Sequence, residues 1–263
     1  MTSLRNLAAA LLVLLSGQAS AATFDIQINF SGDTFFQSFF EDAALEIESF
    51  VTGYRTSNPV APLAIDAFVE TIDGTGGILG QAGPTAGVIT GGFTYATSGL
   101  MRFDTADVGT LVTNALFDDV VLHEMIHTLG LGTLWTANGV YTPGSGQYTG
   151  AAGLAAYQAE FNQPNATYIP VEQDGGAGTS DAHWDENWAG GADALMTGFV
   201  NLGPNANEPY LTNTSVQSLF DIGYLVADIS DPITPVPLPA GGTLILWACA
   251  ALAYVRRRQL TTG

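Results

Sequence analysis

The 263-residue chain has no lysine, one cysteine and three histidines, and each scarcity narrows what it can be. Six arginines stand against 25 acidic residues, and four of the six, Arg5 and Arg256 to Arg258, belong to the two ends. Only Arg55 and Arg102 remain between them, so the body of the chain carries close to −23 charges (2 − 25). A surface of that sign cannot neutralise phosphates, which excludes nucleic acid and anionic lipid as its partners. The single cysteine, Cys249, lies in an apolar stretch near the C-terminus, so no disulfide is expected in the body and no thiol-based inhibitory pro-segment. Stability must then come from core burial and from bound metal. With 47% hydrophobic residues and 31 glycines the chain has ample material for a loop-rich globular core, and disorder is not expected.

Part of that hydrophobicity belongs to the ends. Arg5, an apolar run from Leu7 to Leu15 and the small residues Ala19 to Ala22 have the order of a secretory signal peptide, so residues 1–22 are expected to be removed on export. At the other end a Pro-rich linker, residues 229–239, precedes an apolar span and then Arg256-Arg257-Arg258. Counted from Ala240 to Val255 the apolar run is about 24 Å of helix, a short transmembrane segment with a basic stop. The Val-Pro-Leu-Pro-Ala-Gly-Gly start, the span and the arginines together resemble the PEP-CTERM sorting signal of Gram-negative bacteria, with Leu238 where the family name implies glutamate. The resemblance implies transient passage through the inner membrane, processing by an exosortase-type enzyme acting on residues 229–258, and a body at the cell surface or outside the cell. A plain C-terminal anchor would also leave the body outside the cytoplasm.

The chemistry is carried by His123-Glu124-Met125-Ile126-His127. On a helix, two histidines four residues apart project about 40° from one another and can reach one metal ion, while Glu124 is angled to hold a water. This is the HExxH arrangement of zinc peptidases, in which metal and glutamate together activate the water. With three histidines and nine glutamates in the chain, a shuffled order would produce the motif roughly once in a thousand tries. Two merely structural histidines would have to be buried behind Val120, Val121, Leu122 and Ile126 without metal, beside an unpaired carboxylate.

Around the motif the pattern alternates. Thr23 to Phe30 has the period of a strand, with Phe24, Ile26, Ile28 and Phe30 on one face. Ser31 to Asp33 then offers caps for a helix through about Val51, whose apolar stripe includes Phe36, Phe39, Phe40, Ile47 and Phe50. Leu63 to Ile72 reads as a second strand, Gly74 to Gly92 as surface loop with a short irregular strand, and Phe93 to Asp104 as a strand ahead of the metal helix. An edge strand beside the metal would let a peptide substrate add itself as a further strand. The helix is expected from about Leu116 to Leu129, with Gly130 as its C-terminal cap. Residues 131–182 read as loops apart from a short helix near Ala151 to Phe161, and Asn213 to Ile222 as a closing helix capped by Asn213 or Thr214. The heavily acidic surface suits calcium, but Asp73-Gly74-Thr75-Gly76-Gly77 lacks the repeated ligands of an EF-hand.

A catalytic zinc takes three protein ligands and keeps one position open. Position 133, where the common HExxHxxGxxH pattern has its third histidine, is threonine. The remaining histidine is His183, 56 residues after His127, and Glu160 is the rival third ligand. Thirteen residues past His183, Met196 sits in the small-residue turn Ala194-Leu195-Met196-Thr197-Gly198. HEMIHTLGLGTLW, a long insertion, SDAHWDE, ADALMTG and TSVQSLFDIGY together resemble the leishmanolysin family of metzincin peptidases, over most of residues 23–226. The resemblance implies that His123, His127 and His183 hold one zinc, that Glu124 is the general base, and that Met196 is the turn methionine below the histidines. It implies an α+β, metzincin-like domain over residues 23–228, with a twisted mixed sheet, an active-site helix and a loop-rich lower part, acting on proteins or peptides. The competing reading is a non-catalytic matrix or biofilm surface protein with a zinc site. Such a closed site would need a fourth protein ligand, and no further histidine, and no cysteine outside the tail, is present to supply it.

Overall fold

The computed structural model describes residues 24–200 and 207–229. The expected signal peptide 1–22, most of the linker and the tail span 240–258 lie outside the described residues. Among the described residues no helix is long and apolar enough to cross a membrane. The chain divides after Asp228, and the account below concerns the part up to that residue.

The first strand, β1 (Ile26–Ser31), leads through a 3-10 turn at Thr34–Phe36 into α1 (Gln37–Phe50). Asp33 starts this helical run as expected, its carboxylate accepting the Phe35 N–H at 3.0 Å. The chain then turns directly into β2 (Val51–Tyr54), which pairs far along the sequence with β8 (Tyr224–Val226). Between them come β3 (Leu63–Glu70), β4 (Gly80–Thr90) and β5 (Phe93–Asp104), which with β1 form a mixed sheet in the order β1-β3-β5-β4. β1, β3 and β5 run parallel and β4 is antiparallel on the edge. The mixed sheet of the α+β expectation is therefore present, and β5, which precedes the helix bearing His123 and His127, is an interior strand.

One element corrects the sequence reading. Gly74 to Gly92, read mainly as loop, contains the 11-residue strand β4. Its composition (GQAGPTAGVIT) has little intrinsic strand preference, so the pairing is imposed from outside. Gly91 and Gly92, at φ +60° and +86°, form the tight turn that folds β4 back on β5, a conformation open to glycine at both positions. At Gly87 a side chain would meet the Tyr95 carbonyl oxygen at 2.6 Å, so only glycine lets the strands close there. Pro84, which cannot donate to a ladder, is tolerated because the strand lies on the edge.

α3 (Phe117–Leu129) and α1 pack together over the sheet. Their junction is aromatic: Phe117, fully buried, has ring centroids 5.0 Å from Phe39 and 5.5 Å from both Phe36 and Phe103. Such edge-to-face pairs each add about 1 kcal/mol to the burial they accompany. The short α2 (Val108–Thr113) connects β5 to α3. Below the sheet, β6 (Gln147–Tyr148), α4 (Ala151–Glu160) and β7 (Ile169–Pro170) interrupt long loops, and α5 (Asn213–Asp221) closes the fold. The cap of α5 is Thr212, one residue before the two expected: its hydroxyl accepts the Ser215 N–H at 3.0 Å.

The glycine-rich segment after β3 is anchored to two aspartates at the end of β5. The Asp104 carboxylate accepts N–H groups from Ile72, Asp73, Gly74 and Ala106 at 2.7–3.1 Å, and Asp107 accepts that of Gly76 at 2.8 Å. These donors favour the charged carboxylate and hold Asp104 down to about 2. Because the folded value lies below the ordinary one, the stabilisation is present in full above about pH 5 and is lost as the pH falls through about 2. Asp104→Asn is accordingly expected to lower the melting temperature at neutral pH, with the deficit shrinking steadily on acidification from pH 5 towards pH 2. Thermal melts across that range check it.

Candidate metal centre

His123 and His127 project from the second half of α3, and the helix ends where the chain must turn under them. Gly130 adopts φ +120° and Gly132 φ +73°. Gly132 is the tighter constraint: a side chain there would stand 2.1 Å from the Ala182 carbonyl oxygen. The chain segment that carries His183 thus packs directly on the turn after the helix. That segment is fixed from its other side by Asp181, itself at φ +65°. The Asp181 carboxylate accepts from the Tyr141 hydroxyl, and at 3.0 Å from both the Gly144 N–H and the Gln173 side-chain amide. These donors pull the Asp181 carboxyl below its ordinary range.

The result is a triangle of imidazole nitrogens. The Nε2 atoms of His123 and His127 are 3.0 Å apart, those of His123 and His183 3.1 Å, and those of His127 and His183 2.9 Å. Each ring presents its other nitrogen to a backbone carbonyl: His123 to Leu195 at 2.6 Å, His127 to Leu131 at 2.9 Å and His183 to Thr179 at 2.9 Å. A carbonyl only accepts, so every Nδ1 carries a proton and in the neutral ring every Nε2 is bare. Three lone pairs then face one another at about 3 Å with no proton to share. Protonation does not relieve this, because burial depresses all three rings, with repulsion from neighbouring imidazoles adding at His123 and His127 and taking His123 down to about 3. A cation does. The donor set, the spacing and the carbonyl-fixed tautomers fit a zinc ion held by His123, His127 and His183.

Glu124 is buried, and its carboxylate has no hydrogen-bond partner among the described residues. Burial alone pushes it up to about 8, and a neighbouring positive charge would draw it back down. Gly80, the first residue of β4, lies against this carboxylate, where any side chain would come within 3.0 Å of the oxygen. Gly83, on the same strand, faces Thr133, just beyond the helix. The sheet edge therefore runs past the glutamate and over the end of α3.

Met196 is fully buried, and its carbonyl accepts the Trp184 N–H at 3.0 Å, tying the methionine turn to the residue after His183. Its neighbour Leu195 supplies the carbonyl to His123, so the turn positions the first histidine through backbone.

Glu160 has another task. Its carboxylate accepts from the N–H groups of Asn213 and Thr214 at 3.0 and 2.8 Å and from the Thr214 hydroxyl at 2.7 Å, capping α5. Asp221, at the far end of α5, accepts from Ala152 and Gly153 at 2.8 Å and caps α4 in return. The two antiparallel helices cap each other, and the rival ligand of the sequence reading is engaged away from the three-histidine group.

The carbonyls of Leu131, Thr179 and Leu195 have no side-chain signature and were invisible in the sequence. Gly132 was visible as a residue, without any sign that a backbone 50 positions on would press against it. A second acidic group, Glu172, Asp185 and Glu186, flanks the His183 segment. There Glu186 and the backbone N–H groups of Asp174 and Gln173 hold Glu172 below its usual range, while burial and the Glu172 carboxylate push Glu186 up to about 7.

No family model matches the chain. Among curated proteins it is 28% identical over 128 residues to a leishmanolysin homolog of Crithidia fasciculata, a match covering 43% of this chain and 18% of that protein. The chain thus corresponds to less than a fifth of that relative's length. The distant similarity and the three-histidine cluster are compatible with a leishmanolysin-like zinc metallopeptidase.

Gly132→Ala is expected to weaken zinc affinity by at least about tenfold, because the new methyl group displaces the His183 segment. Glu160→Gln is expected to leave zinc content unchanged and to lower stability by about 1 kcal/mol through the weakened cap. Zinc titration and thermal melts of both variants distinguish the two roles.

Proposed function

We propose that this chain is an extracytoplasmic zinc endopeptidase of the metzincin type, leishmanolysin-like, cleaving proteins or peptides. The observation that carries the reading is the set of three bare Nε2 atoms, each fixed in its tautomer by a backbone carbonyl, beside the buried residue Glu124, whose carboxylate has no hydrogen-bond partner among the described residues. A zinc ion held by His123, His127 and His183 supplies Lewis acidity there, acidifying water and polarising a carbonyl.

The remaining steps belong to the chain. Glu124, clear of other hydrogen bonds among the described residues and bordered on the β4 side by Gly80, takes the proton from the attacking water and returns it to the leaving amine. β4 offers a backbone edge that pairs with no further strand among the described residues and passes Glu124 at Gly80 and Thr133 at Gly83. An extended peptide added to that edge satisfies its backbone groups whatever its sequence and is delivered across the histidines. The small residues of the strand (Gly80, Ala82, Gly83) keep that approach open. The Leu195 carbonyl positions His123, and the Met196 carbonyl ties the same turn to Trp184.

Export by residues 1–22 and sorting through the PEP-CTERM-like tail, with an exosortase-type enzyme as processing partner, complete the proposal and rest on the sequence of the two ends. Placement at the surface of a Gram-negative bacterium or outside it follows from the same segments. The chain's acidity fits an extracellular site and gives nothing for nucleic acid to bind.

Glu124→Gln is expected to retain one zinc per chain and to lose casein hydrolysis by at least about a hundredfold. Hydrolysis at the parental rate by zinc-loaded Glu124→Gln protein would remove the base assignment.

A further inference from the structure

The two ladders of β5 decide which backbone groups of β4 face outward. On the β3 side the Thr105 N–H donates to the Glu70 carbonyl at 2.9 Å, and on the β4 side the Asp104 N–H donates to the Leu79 carbonyl at 3.1 Å. In an antiparallel pair, successive residues turn their N–H and C=O groups alternately toward the partner and away from it. Leu79 faces β5, and the register runs unbroken from Gly80↔Phe103 to Pro84↔Gly99. Gln81 and Gly83 therefore face β5 as well, while Gly80, Ala82 and Pro84 present their backbone groups on the free side of the strand.

That edge is bounded at both ends. It begins at Gly80, which lies against Glu124, and the chain just before it is held at the end of β5 by the Asp104 carboxylate. It stops at Pro84. Proline has no N–H, so Gly80, Ala82 and Pro84 together offer three outward acceptors and only two outward donors. Immediately beyond, the pairing passes from Pro84↔Gly99 to Ala86↔Ser98 and then to Gly87↔Ala96, leaving Thr85 and Thr97 without an opposite residue. The Thr85 and Ser98 hydroxyls bond to each other at 2.7 Å across this break. Such a bulge bends and twists a strand, so a straight peptide lying along the edge parts from it there. Exposure changes at the same point: Gly80 to Pro84 are half-buried and Thr85 to Gly87 are exposed.

Proline and bulges on an edge strand also prevent pairing with stray chains. Protection of that kind is served by a proline anywhere along the edge. Here the positions next to Glu124 are left open and the block falls at the far end. We propose that Pro84, with the bulge behind it, is the residue that stops the substrate ladder. Backbone pairing then covers about five residues, those opposite Gly80 to Pro84, on one side of the cleaved bond, and chain beyond them is not read. The proposal rests on the peptidase reading for its ligand and on the β4 ladder for its length. Its consequence is a substrate class: loops and chain ends that expose a short extended segment suffice, without a long unfolded stretch.

A hydroxamate chelates zinc and so fixes one end of a peptide at the metal. Two series of alternating alanine–threonine peptides, two to eight residues long, carry it either at the C-terminus or, through a malonyl group, at the N-terminus. Each is titrated calorimetrically into zinc-loaded full-length protein. In one series only, affinity is expected to rise at alternate residues, by at least about tenfold in all, up to the fifth residue, and to stay within about twofold from there to the eighth. Pro84→Ala protein gains an outward N–H. In it the eight-residue compound of that series is expected to bind at least about threefold more tightly, and the three-residue compound as in the parent. An equal change at every length, or none at any length, in protein that melts like the parent overturns the role of Pro84. A continued rise beyond the fifth residue overturns the stop in the parent alone, whether or not the variant folds. Compounds that bind without regard to length in either series overturn the ladder and leave the zinc site standing. Failure of every compound to bind refutes the peptidase reading, and the stop with it.

Discussion

Three neutral imidazoles with bare nitrogens 2.9–3.1 Å apart repel one another, and the fold spends much of its local structure holding them there. Three carbonyls fix the rings, two glycines bend the chain beneath them, and Asp181 locks the loop that brings in the third. Without a cation this is stored electrostatic strain, and with one it is a preorganised ligand set. The same burial that strips protons from the histidines pushes Glu124 in the opposite direction. A positive charge in the cluster resolves both conflicts, since it suits bare imidazoles and a bare carboxylate alike.

The rest of the architecture divides into what aims the helix and what supplies the floor. The mixed sheet and α1 grip the start of α3 through the Phe117 cluster, so the histidines at its other end are carried on a rigid element. The floor has little regular structure and is held by polar stitching instead. α4 and α5 cap one another through Glu160 and Asp221, and Trp135, Tyr148 and Trp184 pack in its centre at tilted and edge-on angles with ring centroids 4.7–5.3 Å apart. A chain without disulfides in this region depends on such contacts to keep His183 in register.

The elements legible from sequence were those with their own periodicity or their own punctuation. α3 could be read because its motif, its apolar stripe and Gly130 agree, and β5 because its aromatic and apolar run is bounded by Gly92 and Asp104. His183 was reachable only by elimination, as the third of three histidines; nothing between positions 128 and 182 announces the approach that Gly132 and Ala182 make. β4 was missed because its glycines and alanines encode permission to pair, and the pairing partner supplies the order. The cap of α5 shifted by one residue because Thr212, Asn213 and Thr214 are all competent caps and tertiary contacts choose among them. The reciprocal capping and the carbonyls behind the histidines were out of reach, since backbone groups carry no letter in the sequence.

Zinc K-edge X-ray absorption on full-length protein, with metal content measured on the same sample, tests the central claim most directly. The account predicts one zinc per chain with three imidazole nitrogens at ~2.0–2.1 Å and a light oxygen scatterer completing the shell. A chain that takes up no zinc, or a shell in which fewer than three imidazoles are found, would contradict it.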